Sequence, residues 1–258
     1  MNKVFSDLNQ YFDHIYVLTL KGYEQRQASI AENLDGLNWT FFWGVDKREL
    51  PVDILQDPKY YDDVKHRATK RTSRGMTLAE VACAMSHLAI YQDMLDKGYE
   101  RVLIFEDDVL PCLEELQNFL PVMAELPDDW DCVMLGYYDE KRPSLANKLQ
   151  HTVYRLFRLL HIANWQHVSD DMMDMMLLKP HSPSFYTMGK AMGAHAYAIS
   201  QRAARAYIDY QTPVIMQADR VFLFNQVLNK LKAYMLKRPM FTLSELSQIS
   251  SIQGKQNR

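Results

Sequence analysis

Apolar and polar positions along this chain switch repeatedly between a period of two and a helical period. Residues 15–20 are β-branched and apolar and predict a first strand. Residues 23–34 predict a helix that exits at Gly36, and the aromatic run 39–43 a second strand ending at Gly44. A strand–helix–strand unit of that length implies a parallel, right-handed crossover. The charged stretch 57–74, closed by Gly75, reads as a loop. Thr77-Leu78-Ala79-Glu80 then forms a capping box. Behind it, Leu78, Val81, Ala82, Met85, Leu88, Ala89 and Leu95 share one helix face as far as Gly98. Residues 102–105 predict a buried strand, with further strands at 131–135 and 194–199 and helices at 200–210 and 219–231. Residues 244–258 read as a polar, Ser/Gln-rich tail. The alternation predicts one α/β domain over 1–258, with a mainly parallel central sheet flanked by helices.

One stretch departs from the alternation. Residues 141–168 carry Lys141, Arg142, Lys148, Arg155 and Arg158 and no acidic residue, a local charge of +5. Leu156, Phe157, Leu159, Leu160, Ile162 and Trp165 are interleaved with them. Such a segment can lie on an anionic membrane face, or pack on the core as an ordinary helix with solvated arginines. The methionines at 172, 173, 175 and 176 read as adaptable packing.

Composition narrows the classes. With 48% hydrophobic residues the chain can bury a sizeable core. A formal net charge of -3 gives no pull towards nucleic acid. Cys83, Cys112 and Cys132 are odd in number and far apart, which indicates neither a disulfide framework nor a zinc site. The first fourteen residues are polar without a signal-peptide core. No run reaches the roughly 18 apolar residues that span a bilayer. The expected setting is the cytoplasm, with peripheral contact at the cytoplasmic face of the inner membrane if the basic segment docks there.

The chemistry concentrates at Glu106, Asp107 and Asp108, which follow the buried strand at once. Crowded carboxylates raise one another's pKa, and a hard divalent cation is the usual reason to keep them together. The C-terminal end of a strand in an open α/β sheet is also where ligands bind. These residues alone point to Mg²⁺- or Mn²⁺-assisted chemistry on a phosphate-bearing ligand; an acidic loop in solvent is the plainer alternative. In an extended segment Glu106 and Asp108 share one side, and Asp107 points to the other.

The run "TLAEVACAMSHLAIYQDMLDKGYERVLIFEDDVLP" resembles the signature of glycosyltransferase family 25, which includes bacterial lipooligosaccharide galactosyltransferases and collagen galactosyltransferase domains. Within it stand Glu80, Cys83, Ser86, His87, Glu106, Asp107 and Asp108. "IYVLTLKGYEQR", ending in Arg26, is similar to the family's first strand, and "WDCVMLG" to a later core strand. "GAHAYAISQRAARAYID" resembles its Gly-x-His-x-Tyr strand and helix, "QADRVFLF" its aspartate-bearing helix start, and "LSQISSI" its Ser-rich C-terminal signature. The similarity spans most of 14–252 and fades over 140–187, which is expected to be an insertion on the acceptor or membrane side.

The resemblance implies a GT-A-like fold, a UDP-sugar donor (usually UDP-galactose), a divalent metal, and inversion at the anomeric carbon. The implied acceptor is a glycan such as lipopolysaccharide or lipooligosaccharide, free or lipid-linked. Asp108 is the expected first metal ligand, and Glu106 either shares the metal or holds the ribose. Arg26 is expected at the edge of the nucleotide pocket, its fork on phosphate or uracil oxygens. Asp46 follows the second strand and can reach the nucleoside, or simply terminates the strand. Ser86, His87 and Asp107 join the donor-binding set by motif position. His87 and His195 read equally as core histidines. Asp219 matches the family's aspartate and is the candidate general base, against the alternative of a helix N-cap. Asp139 and Glu140 are the runners-up for that role.

Two other readings stay open. One is a catalytically silent protein that keeps the fold to hold a nucleotide or a glycan. The other is a metal-dependent nucleotide-processing enzyme, although the chain has no Walker-type phosphate loop.

Overall fold

A computed structural model of the chain describes residues 3–51, 53–69, 74–140, 144–189, 191–223 and 230–249. The chain runs α1 (Lys3–Tyr11), β1 (His14–Thr19), α2 (Glu24–Asn33), β2 (Thr40–Trp43), α3 (Asp63–Thr69) and α4 (Leu78–Asp96). It continues with β3 (Arg101–Glu106), β4 (Val109–Pro111), α5 (Leu113–Leu116), α6 (Phe119–Met123), β5 (Cys132–Gly136) and β6 (Asp139–Glu140). The remaining elements are α7 (Leu145–Leu159), α8 (Asp170–Met175), β7 (Lys179–Pro180), β8 (Phe185–Thr187), β9 (Ala191–Met192), β10 (Ala196–Ser200), α9 (Gln201–Gln211), β11 (Ala233–Leu236) and β12 (Phe241–Leu243).

The central sheet has the order β2-β1-β3-β10-β5-β11-β8-β7. β1 pairs parallel with β2 and β3, and β11 pairs parallel with β5. β10 runs antiparallel between β3 and β5, so the α/β class holds while the sheet is mixed in detail. The period-two pattern divides each strand between two cores. Ile15, Val17, Leu103, Phe105, Val133 and Leu135 face one cluster with α1 and α2. Tyr16, Val102, Ile104, Cys132 and Met134 face the other, with α4 and α9.

β1 continues outward to β2, and β3 returns on the opposite side of β1. That reversal is a topological switch point, where the strand ends splay and leave room for a ligand. The N-terminus of α4 is fixed there by the expected capping box, with Thr77 and Glu80 exchanging hydrogen bonds.

The structure changes the reading of 57–74 and adds detail at both ends of the chain. The polar N-terminal residues form α1, whose Phe5 and Leu8 are buried. The charged stretch 57–74 contains α3, whose His66 is fully buried with Nδ1 against the Ile215 carbonyl. The helix expected over 219–231 appears at 221–223, and 224–229 lie outside the described residues. Of the tail, 244–249 are described, and the Ser244 amide donates to the Asp108 carbonyl at 2.7 Å. Residues 250–258 lie outside the description.

Candidate active site

A cleft of about 350 Å³ opens at the switch point. Thr19 and Leu20 come from the end of β1, Tyr23 and Arg26 from the start of α2, and Asp46 and Arg48 from the loop after β2. Ala82 and Cys83 of α4 form another wall, and Glu106, Asp107 and Asp108 the end of β3. The size suits a nucleotide-scale ligand.

The β3 chain turns sharply after Glu106, and the strand period is lost. Asp107 and Asp108 therefore both reach Arg26, rather than pointing to opposite sides as an extended chain would place them. Arg26 Nη1 lies 3.0 Å from Asp107, and Nη2 is bonded to Asp108. Thr19 Oγ1 donates to Asp107 at 2.5 Å. These carboxylates are nearly sealed, with side-chain exposures of 6% and 7%. Burial pushes both pKa values up, against the pull of Arg26. Glu106 is pushed up to about 8, by burial first and then by Asp108 and Asp107, with Arg26 opposing. Asp108 Oδ1 is buried with no hydrogen-bond partner. A buried carboxylate oxygen without a donor costs free energy that a ligand cation can relieve.

Arg26 stands in the cleft as expected, but its guanidinium grips the carboxylates. The first helical turn of α2 puts it across from the β3 end, where two anions outcompete solvent for its fork. Asp46 also lines the cleft. Arg48 bonds to it through Nε at 2.9 and 3.0 Å, and this hydrogen bonding holds the Asp46 carboxyl below its ordinary range.

Ser86 and His87 are buried behind the wall. Ser86 Oγ donates to the Ala82 carbonyl and accepts from the Val45 amide, both at 2.8 Å. It pins the loop that carries Asp46 to α4; a Cβ at Gly44 would lie 2.9 Å from this oxygen. His87 Nδ1 lies 2.6 Å from the Tyr197 hydroxyl, which lies 2.9 Å from that of Tyr91. Its Nε2 has no hydrogen-bond partner and stands 3.9 Å from Glu106 Oε1. Burial pushes His87 down to about 4, so the ring is neutral at pH 7.

The segment 193–197 ties these parts together. Gly193, at φ +88, turns its amide onto Asp219 Oδ2 at 3.2 Å. A Cβ there would come within 2.5 Å of the Tyr138 ring. The His195 carbonyl accepts from the Glu106 amide at 3.0 Å. Its ring is buried beside Gly136 and near the Phe241 backbone, and burial lowers it to about 4, against the opposing backbone contact. Tyr197 orients His87. Reading Gly-x-His-x-Tyr as three supports, rather than weighing only its histidine, would have found Gly193 and Tyr197.

Asp219 lies outside the lining of the cleft, in the turn before 221–223. It is near enough that its charge raises the pKa of Glu106 and Cys83. Gln217, two residues earlier, donates to Glu80 Oε1 at 2.8 Å and so fastens this turn to the start of α4. Asp139 and Glu140 form β6 against β9; their side chains lie outside the described part.

Among the described residues, no three His, Cys, Asp or Glu side chains converge as a ready-made metal cage. The donor set fits a different arrangement. Mg²⁺ and similar ions are often held by one or two carboxylates, with substrate phosphate oxygens and water completing the shell. Asp108, with its free buried oxygen, and Glu106 fit that role.

An α/β sheet with acidic groups and a cleft at its switch point is a site of the kind where open α/β proteins bind their ligands. The model of glycosyltransferase family 25 (LPS biosynthesis protein) matches residues 12–222, and the chain belongs to that family. A glycosyltransferase 25 family member of Aedes aegypti is 36% identical over 140 residues, covering 48% of this chain and 21% of its own length. One from Drosophila pseudoobscura pseudoobscura is 35% identical over 169 residues, covering 60% and 26%. A probable inactive glycosyltransferase 25 family member 3 of Rattus norvegicus is 30% identical, covering 48% and 23%. The chain thus spans about a quarter of the length of these relatives. Mannose-1-phosphate geranyltransferase from Thermus thermophilus aligns over 93% of this chain and 56% of its own at 9% identity, with a TM-score of 0.31, too low to bear on chemistry.

Proposed function

We propose that the protein is an inverting glycosyltransferase that moves a hexose, galactose in the first instance, from a UDP-sugar to a glycan acceptor of the lipopolysaccharide or lipooligosaccharide type. One observation carries the reading: Asp108 keeps a buried, unpartnered oxygen in a cleft that also gathers Glu106, Asp107 and Asp46. That excess of carboxylate suits a cation-bound diphosphate better than an anion alone.

Asp108 and Glu106 would hold Mg²⁺ or Mn²⁺, which supplies charge neutralisation to the departing diphosphate. Arg26, already fixed between two carboxylates, adds positive charge at the same edge. Asp46 and Arg48 bound the nucleoside side of the cleft. Asp219 takes the proton of the acceptor hydroxyl as its oxygen attacks the anomeric carbon, and the UDP oxygen leaves from the opposite face. The Gly193 amide holds Asp219 for that task.

Among the described residues no helix is long and apolar enough to cross a membrane. We place the protein in the cytoplasm, peripheral to the inner membrane, because the proposed acceptor is lipid-carried. The test is a screen of UDP-sugars for donor hydrolysis and transfer, with and without Mn²⁺. Metal-dependent hydrolysis of one UDP-hexose supports the reading. Donor binding without turnover in every case would assign the chain to the silent, binding-only alternative, in line with relatives whose names call them inactive.

A further inference from the structure

The face of α7 that the structure leaves bare is the apolar one. Leu145, Leu149, Val153, Leu156 and Leu159, with the C-capping Leu160, are exposed by 39% to 86%. No residue of this helix is buried. At 100° per residue these six fall in one sector of roughly 120°.

The opposite face is committed to the protein. Tyr154 packs on Trp165 with ring centroids 4.3 Å apart, and Phe157 packs on the cluster of Trp165, Val168, Met172 and Met173. Arg155 pairs with Asp174 and Arg158 with Asp170, both from α8. Arg155 and Arg158, two of the basic residues that the sequence offers to an anionic surface, are therefore engaged within the platform. What faces outward is aliphatic.

We propose that this face is a lipid-docking surface: α7 lies in the plane of the bilayer that carries the acceptor, with its leucines among the acyl chains. This rests on the lipid-carried acceptor proposed above. Three observations favour lipid over a second copy of the chain. The apolar sector is broad, whereas a helix–helix seam is a narrow a/d stripe. Lys148 borders the sector, and the sequence from 141 to 168 contains no acidic residue to repel a phosphate headgroup layer. The platform also packs through Leu223 onto the segment that follows Asp219, which places it on the side where the acceptor hydroxyl must arrive.

Because Arg155 and Arg158 are paired and the outward face of α7 is aliphatic, adsorption is driven by apolar insertion more than by charge. The test is co-sedimentation of the full chain with vesicles of phosphatidylcholine alone and of phosphatidylcholine with phosphatidylglycerol. It is run at low salt and at about 0.5 M salt, where charges are screened within about 4 Å. Binding to both vesicles that survives high salt is expected. Leu149→Gln with Leu156→Gln should lower the partition at least about tenfold, with unchanged far-ultraviolet circular dichroism and unchanged donor hydrolysis in free solution. Three results would overturn the inference: no binding to either vesicle; binding to anionic vesicles alone that vanishes in high salt; or no vesicle binding together with a dimer that the double variant dissociates. If vesicles bind and no UDP-sugar is hydrolysed, the docking surface stands and the transfer reading fails.

Discussion

Two regions of this molecule use the same chemical pair, arginine with aspartate, to opposite ends. At the β1/β3 switch point Arg26 holds Asp107 and Asp108 with its side chain 14% exposed and theirs 6% and 7%. On the α7–α8 platform, Arg155–Asp174 and Arg158–Asp170 stand in solvent, with side-chain exposures from 32% to 81%. Buried charges cost several kcal/mol each to desolvate, and breaking such a pair is expensive. Exposed pairs contribute about 0 to 1 kcal/mol. The cleft therefore stores an electrostatic demand that a ligand can satisfy. The platform only fastens two helices and frees the aliphatic face to act.

The sharpest break in that comparison is Asp108→Asn. It removes an anionic oxygen from the cleft and should reduce transfer to background while the fold survives, as read by circular dichroism. Undiminished activity, or full activity in excess chelator, would remove the metal role. Next is Asp219→Asn, which should lower turnover by roughly 10²-fold or more with donor affinity little changed. A parallel loss of donor binding, with turnover of the bound complex intact, would make Asp219 a binding or turn residue.

Stability separates the two regions further. Arg26→Met leaves two buried carboxylates without their cation and should cost about 3 to 5 kcal/mol in urea unfolding at neutral pH. The loss should shrink as pH falls, because the orphaned carboxylates then take up protons. A cost below about 1 kcal/mol would place this pair in the same class as the surface pairs.

Glu80 supplies the opposite sign. Burial would raise it, but hydrogen bonds from Arg74, Gln217 and Thr77 outweigh that and hold it down to about 2. Its contribution is complete above the ordinary value of 4.5 and is lost as pH falls from there towards 2, by at most about 3 kcal/mol. Acid unfolding of the Glu80→Gln variant should show a flatter slope in that window; an unchanged slope would mean that other carboxylates dominate. The smallest effect is expected from Arg155→Ala and Arg158→Ala, each within about 1 kcal/mol. Neither should alter binding to neutral vesicles, and a marked loss there would return the docking role to charge.

Legibility in the sequence follows where the physical signal is local. β1, α2, β2, α4 and β3 each carry their own period or cap, so the switch point and its acidic residues can be read directly. α3 is hidden because its charges resemble a loop, and its one deeply buried residue is a histidine. β11 is four residues long and buried throughout, with no alternation to mark it. Arg26, Asp46, Glu106, Asp107 and Asp108 do meet in one cleft. Ser86 and His87 stand behind its wall, since a buried face of α4 looks alike from sequence whether it touches ligand or supports those that do. Thr19, Gly193 and Tyr197 escape notice because their partners are 88, 26 and 110 residues away. The outward turn of the α7 leucines depends on α8 claiming the arginines, a pairing that no local pattern announces.

The most direct test of the central claim is calorimetric titration of UDP into the protein with Mn²⁺, with chelator, and with Mn²⁺ in the Asp108→Asn variant. The account predicts binding with Mn²⁺ that weakens at least about tenfold in chelator and in the variant, the scale on which a metal ligand set is felt. Equal affinity in all three would contradict a cation-held diphosphate at the end of β3.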